Sequence, residues 1–176
     1  EYYVRTIGRL WGIETVILRV FNAYGPGQNL PPSHPPVIPN FLRQAVRGGT
    51  IVIHGDGNQT RDYVFVEDVV RAMLAASTAP SIDDLIINVG SGTETSVRDL
   101  ARLSSEFSNR SVEIIYNPLS DAGVSRMCAD IRLAGEKQSK FIVPIRTFRP
   151  MIPTWRIGRH VCFKVSWIQP RALRSI

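Results

Sequence analysis

The sequence of 176 residues has only two cysteines, Cys128 and Cys162, far apart and with no second Cys or His at metal-ligand spacing. That scarcity excludes a disulfide framework, gives no sign of a zinc site and fits a reducing, cytoplasmic setting. No apolar run approaches the roughly 18 residues of a membrane-spanning helix, so no membrane partner is expected. Residue 1 is Glu, with no initiator Met, and the chain is expected to begin inside a longer protein. Internal repeats and low-complexity stretches are lacking as well.

Acid is missing from one region. Between Ser139 and Ile176 there is no Asp or Glu, while Lys140, Arg146, Arg149, Arg156, Arg159, Lys164, Arg171 and Arg174 supply eight positive charges. The net charge of +6 therefore belongs to the tail: without those eight, 13 basic residues face 15 acidic ones over residues 1 to 138. An ordinary, slightly acidic body weighs against a nucleic-acid partner, although Phe148, Trp155, Phe163 and Trp167 would permit stacking in the tail.

What is present suits one globular domain, with 44% hydrophobic residues enough for a sizeable core. Tyr3, Ile7, Leu10 and Trp11 fall on one helical stripe, and Gly12 stands where a left-handed cap is wanted, so residues 2 to 11 are expected to end a helix. Glu14 to Asn22 is β-branched and aromatic enough for a strand buried on both faces, as in a parallel sheet. Prolines and glycines from Ala23 to Pro39 predict a long ordered loop, of the kind that usually carries function. Pro39 suits the first turn of a helix using Phe41, Leu42, Ala45 and Val46, which Gly48 and Gly49 end.

Ile51 to His54 predicts a short strand, and Gly55 to Asn58 a turn. Residues 60 to 65 alternate as an exposed strand would, and Glu67 and Asp68 then open a helix with Val66, Val69, Val70, Met73 and Leu74 inward. Leu85 to Val89 and Val112 to Tyr116 predict two more strands. Ser96 and Asp99 form a capping box for a helix running to about Phe107, and Ala129 to Lys137 looks helical.

Two glycine pairs invite a nucleotide-binding reading. Gly90-Ser-Gly92 follows a strand and precedes a helix, but Thr95 occupies the place of the third glycine of a dinucleotide fingerprint. A tight turn feeding the Ser96 cap is the preferred reading. Gly25-Pro-Gly27 is a poor phosphate cradle because Pro26 has no N–H to donate.

Four runs in order do carry a resemblance: Leu18-Arg-Val-Phe-Asn-Ala-Tyr-Gly-Pro-Gly-Gln28, Val37-Ile-Pro-Asn-Phe41, Gly55-Asp-Gly-Asn-Gln-Thr-Arg-Asp-Tyr-Val-Phe-Val-Glu-Asp68 and Asn88-Val-Gly-Ser-Gly92. Over roughly residues 1 to 137 the chain resembles the C-terminal half of the NAD-dependent epimerase/dehydratase family of extended short-chain dehydrogenases, which act on nucleotide sugars. The resemblance implies an α/β fold: the last part of a Rossmann-type parallel sheet over residues 1 to 22, then a mixed α/β substrate-binding lobe over 23 to 137. It implies NAD as cofactor in the intact enzyme, a nucleoside-diphosphate sugar as partner, a homodimer, and oxidation at the sugar C4 followed by epimerisation or elimination.

Residue by residue, the resemblance makes Arg61 a clamp on the diphosphate, a role that suits a permanently charged fork of donors. Its bland alternative is an ion pair with Asp62 or Asp56. Asn22 matches an amide that donates to a phosphate oxygen, against the alternative of a turn-forming Asn. Phe21 and Ala23 fall where the family backbone passes the nicotinamide, and Ile38 and Pro39 match positions that line the base pocket. Arg126 stands near a second phosphate Arg of the family, from which Asp121-Ala-Gly-Val-Ser-Arg126 departs. The catalytic Tyr-x-x-x-Lys pair is expected upstream of residue 1. Tyr2 and Tyr3 have no Lys four residues on and read as helix-packing aromatics. The chain alone is thus expected to be inactive, either as part of an enzyme or as a non-catalytic remnant.

The family pattern, the acidic residues and the amphipathic period all stop near residue 138. A shifted reading frame or a foreign sequence joined there would account for all three, making 138 to 176 a separate, atypical segment. Sequencing the coding DNA and finding no better continuation in either alternative frame would reject this.

Overall fold

The computed structural model describes residues 1–108, 112–118 and 123–137; the basic tail, Cys162 and Asp121 lie outside them. Helix α1 (Tyr2–Trp11) ends at Gly12, whose φ of 63° takes the left-handed cap. A Cβ on Gly8 would stand 2.5 Å from Thr15 Cγ2, so only glycine lets α1 lie this close to the turn that follows it. Beyond that contact, Arg5 and Arg9 grip Asp84 on the far side of the chain. The apolar stripe of α1 is uncovered: Tyr2, Tyr3, Leu10 and Trp11 are 72–79% exposed. Contrary to expectation, Tyr2 and Tyr3 are largely exposed rather than packed into the fold, and they meet each other edge to face with centroids 6.2 Å apart.

The run expected as one strand is divided into β1 (Val16–Val20) and β2 (Asn22–Tyr24). After the loop, α2 (Val37–Arg47) starts two residues before Pro39, which still sits in its first turn, and Gly48 caps it at φ 70°. Strand β3 (Ile51–His54) matches its predicted span. The next predicted strand is also split, into β4 (Thr60–Arg61) and β5 (Tyr63–Phe65), around a fully buried Asp62. It is therefore no exposed strand. Helix α3 (Val66–Thr78) turns Val69, Ala72 and Ala76 inward, while Val66, Val70, Met73 and Leu74 of the expected inner face are exposed. Small alanines let the helix sit close to the strands, and they leave the larger aliphatics outside.

Strand β6 (Leu85–Val89) runs parallel to β1 in register from Val16 opposite Leu85 to Val20 opposite Val89. Phe21 N–H extends that ladder to Val89 O at 2.9 Å; the chain then changes partner, and β2 pairs in parallel with β5. This switch is what breaks the expected strand in two; β1 itself, paired only with β6 among the described residues, is half-buried over Val16–Leu18 and exposed at Arg19 and Val20, rather than buried on both faces. Strand β7 (Thr95–Ser96) precedes α4 (Val97–Ser108), where Ser96 Oγ accepts from Asp99 N–H at 3.0 Å as in a capping box, while its hydroxyl, rather than its backbone N–H, donates to the Asp99 carboxylate at 2.6 Å. Strand β8 (Ile114–Asn117) pairs in parallel with β3. The short β9 (Arg126–Met127) lies beside β4, and α5 (Arg132–Lys137) closes the described chain.

Two cores result. Val64, Val69, Ala72, Ala76, Ile87 and Val89 join α3 to the parallel strands β1, β6 and β5. Ile38, Phe41, Ala45, Ile51, Ile53, Leu100 and Ala101 pack α2 and α4 against β3. At roughly 1.5–3 kcal/mol for each large aliphatic side chain fully buried, residues such as Ile51, Ile53 and Leu100, all at 0% exposure, dominate the second core. The architecture is α/β: an incomplete parallel sheet of Rossmann type carrying a mixed lobe.

Candidate functional site

The carboxyl ends of β1 and β6 point toward one place, where the chain enters β2 and the Gly90 turn. In open parallel sheets that end is where ligands bind. Strand β2 sets Asn22 opposite Tyr63 of β5, and the Asn22 amide donates to Asp62 O at 2.9 Å. Asn22 thus lies within a strand, not in a turn, and its amide is one hydrogen bond from the residue after Arg61.

Arg61 itself is half-buried on β4, the middle of a three-stranded ribbon, opposite Thr95 on one side and Met127 on the other. Its Nη1 donates to Thr60 O at 2.7 Å. Neither acid named in its bland alternative holds it: Asp56 caps its own turn through Asn58 N at 2.9 Å and Asn58 Nδ2 at 2.7 Å, and Asp62 is engaged elsewhere. Side chains alternate along a strand, so Arg61 and its lateral partner Met127 share one face of the ribbon. Asn22 Nδ2 comes within 3.8 Å of Met127 Sδ, which brings Asn22 to that same face.

Arg126 is opposite Thr60 and so belongs to the other face. There Glu94 holds it at 2.5 Å and also accepts from Thr60 Oγ1 at 2.9 Å. The bond from Arg126, and next that from Thr60, pull the Glu94 carboxyl below its ordinary range. The fold therefore places Asn22 and Arg61 beside the same Met127 and sets Arg126 on the opposite face, 74% exposed in its side chain. Ile38 is 3% exposed within the α2–α4 core, Pro39 is half-buried beside it, and Phe21 and Ala23 are half-buried at the start of β2.

Beside Arg61, Tyr63 packs edge to face on Tyr24 with centroids 6.4 Å apart. Its hydroxyl is buried with no hydrogen-bond partner among the described residues. Burial pushes the Tyr63 phenol up to about 12, against a smaller opposing pull from the Arg61 charge.

Sequence reasoning missed Asp62 as anything more than a candidate partner for Arg61. One carboxylate oxygen accepts from Ser91 N at 2.7 Å and Ser91 Oγ at 2.6 Å; the other accepts from Gly92 N at 2.9 Å and Ala129 N at 3.0 Å. The Gly90-Ser-Gly92 turn, which imitates a phosphate loop in sequence, wraps an anion of its own chain. A Cβ on Gly90 would lie 2.5 Å from Ala129 Cβ and 2.8 Å from Asp62 Oδ2, and Gly92 has φ 68°, so close approach demands the first glycine and backbone conformation the second. The available signal was the acid itself, standing in a strand between residues that pair on both sides. The turn is filled, and with Pro26 unable to donate from the other glycine pair, neither pair cradles a dinucleotide pyrophosphate. No tyrosine of the chain is followed by Lys four residues on. No cluster of His, Cys, Asp or Glu fit for a metal occurs among the described residues, and no helix among them is long and apolar enough to cross a membrane.

The parallel pair β1–β6, with Asn22 just after the first strand and the Gly90 turn just after the second, defines an α/β protein of Rossmann type. A family model, that of the NAD dependent epimerase/dehydratase family, matches residues 1–90, and the chain belongs to this family. It is similar to the UDP-N-acetyl-alpha-D-glucosaminuronate decarboxylase of Bacillus cytotoxicus, 37% identical over 109 residues, covering 62% of this chain and 33% of that protein. Among solved structures it is similar to the UDP-glucose 4-epimerase of Thermotoga maritima with UDP-glucose, at TM-score 0.70 and 35% identity, covering 77% of this chain and 43% of that one. A second is the UDP-glucuronic acid 4-epimerase of Bacillus cereus with UDP-glucuronic acid and NAD, at TM-score 0.66 and 26% identity, covering 77% and 42%. The chain spans less than half the length of these proteins.

Proposed function

We propose that this chain supplies the nucleotide-sugar grip of an NAD-dependent epimerase or dehydratase, with Arg61 and Asn22 on the diphosphate. The observation that carries the reading is their shared face: Asn22, directly after β1 at the strand end where such folds receive ligands, and the permanently cationic Arg61 of β4 both lie beside Met127. A guanidinium offers paired N–H groups to phosphate oxygens, and Asn22 adds a neutral donor. Relatives solved with UDP-glucose and UDP-glucuronic acid support a nucleoside-diphosphate sugar as the ligand. Ile38 and Pro39 are assigned to the wall of the base pocket, and Phe21 and Ala23 to the border with the nicotinamide. Arg126 is left out of the grip because Glu94 already engages it on the opposite face.

Oxidation at the sugar C4 by NAD belongs, on this reading, to residues outside these 176. The filled Gly90 turn and the absence of Tyr-x-x-x-Lys support that division. The chain binds and orients; by itself it does not turn over. A homodimer and a cytoplasmic setting go with the same reading.

Calorimetric titration of the 176-residue chain with UDP tests it. Saturable binding is expected, with Arg61→Ala at least tenfold weaker, a loss of about 1.4 kcal/mol or more. Absence of UDP binding, or equal affinity in the variant, would overturn the assignment.

A further inference from the structure

Resting on that reading of Arg61, we propose that Asp62 is a positioning residue, whose buried carboxylate fixes the guanidinium next to it for the diphosphate. Three observations carry this. First, Asp62 is 0% exposed yet takes four hydrogen bonds, two to each oxygen, from Ser91, Gly92 and Ala129. Both oxygens act as acceptors, so the site has the form of an anion hole whose anion is part of the chain. Second, the donors come from two separate segments, the turn after β6 and the strand end after β9. Their common tether is the residue adjacent to Arg61. Third, the backbone around that residue is fixed on its other sides too: Asp62 N–H donates to Met127 O at 2.8 Å, and Asp62 O accepts from Asn22 Nδ2 at 2.9 Å.

Every polar group of Asp62 is therefore used to hold one short stretch of chain. Side chains alternate, so a carboxylate locked toward the Gly90 turn drives Arg61 to the opposite side, onto the face it shares with Asn22 and Met127. Rotation of this stretch would carry the guanidinium away from that face. The two neighbours divide the work: Asp62 spends its charge inside the protein and leaves the Arg61 charge facing the ligand. That division accounts for why the two do not pair with each other despite their adjacency and opposite sign.

The role differs from a merely structural one in its coupling to Arg61, and a double-mutant cycle measures that coupling. Asp62→Asn keeps the shape but turns one acceptor into a donor facing two N–H groups. In the 176-residue chain we expect Asp62→Asn to weaken UDP binding about tenfold, and to change it less than twofold when Arg61→Ala is already present. Ser91→Ala removes a single donor and keeps the readout available should Asp62→Asn fail to fold; it should weaken UDP about threefold, again only with Arg61 in place. Additive losses in either cycle would overturn the proposal while leaving the diphosphate reading intact.

A ligand-free readout covers the remaining case, in which the wild-type chain does not bind UDP and the diphosphate reading fails. The Arg61 Nε–H resonance, identified by its loss in Arg61→Lys, should show a rigid heteronuclear NOE that drops in Asp62→Asn and Ser91→Ala, with the Arg98 and Arg102 resonances unchanged. An Arg61 signal equally rigid in both variants, or one that drops together with Arg98 and Arg102, would show that Asp62 does not position it.

Discussion

Tyr63 shows how one residue can oppose the fold that holds it. Its ring packs with the α2–α4 core, but its hydroxyl is buried without a partner among the described residues. An unpaired buried hydroxyl costs roughly 1–3 kcal/mol of lost hydration, so Tyr63→Phe should equal or exceed the wild type in stability, by up to about 1 kcal/mol. The pH dependence has a definite sign. Between the ordinary phenol value of 10.0 and about 12, the unfolded chain releases this proton and the folded chain keeps it. The unfolded state then binds fewer protons, so stability falls as pH rises through that window. Urea titrations at pH 8 and pH 11 measure this: the advantage of Tyr63→Phe should grow with pH, and an unchanged difference would place the hydroxyl in water.

At the scale of elements, α1 is held differently from the other long helices. Helices α2, α3 and α4 each bury several side chains, whereas Gly8 is the one buried residue of α1. Attachment falls to ion pairs: Glu1 at its N-terminus accepts twice from Arg19 of β1, and Arg5 and Arg9 hold Asp84, whose carboxyl is kept well below its ordinary value of 3.8, first by Arg5 and then by Arg9. A carboxyl depressed in the folded state stabilises above its ordinary value and loses that contribution as pH falls through the folded one. Asp84→Asn should therefore fray α1 and lower Tm at pH 7, and the difference from wild type should shrink as pH drops below about 4. A difference constant from pH 7 to pH 2 would mean that the ion pairs contribute nothing.

Elements were legible in the sequence where local signals decide them. Gly12, Gly48 and the Ser96–Asp99 box stopped and started helices where expected, because a left-handed cap or a side-chain cap acts within a few residues. The strand breaks at Phe21 and Asp62 were not legible, since they record a change of partner strand rather than any local preference. The inner face of α3 was misjudged for a related reason. Val69 was expected inward and is buried, but aliphatic size also suggested Val66, Val70, Met73 and Leu74, where close approach to the strands selected Ala72 and Ala76.

Across the whole molecule, the site illustrates the same limit. Asn22 and Arg61 are 39 positions apart, and their common neighbour Met127 depends on the chain passing from β6, beside β1, to β5, beside β2, which only the assembled sheet determines. Arg126 shows the converse: its distance along the chain from Glu94 concealed a pairing that arises because β7, just after Glu94, and β9 flank the same strand β4. Family resemblance named Arg61, and the fold supplied what resemblance did not, a buried Asp62 beneath it.

The shared face of Arg61 and Asn22 is the claim on which the function rests. It is tested most directly by titrating the isotopically labelled chain with UDP and following nitrogen–proton correlations of side chains. Saturable shifts of the Arg61 Nε–H and Asn22 Nδ2 signals at a common affinity, with Arg126 Nε–H unmoved, are predicted. Shifts confined to Arg126, or to neither donor of the pair, would contradict the account.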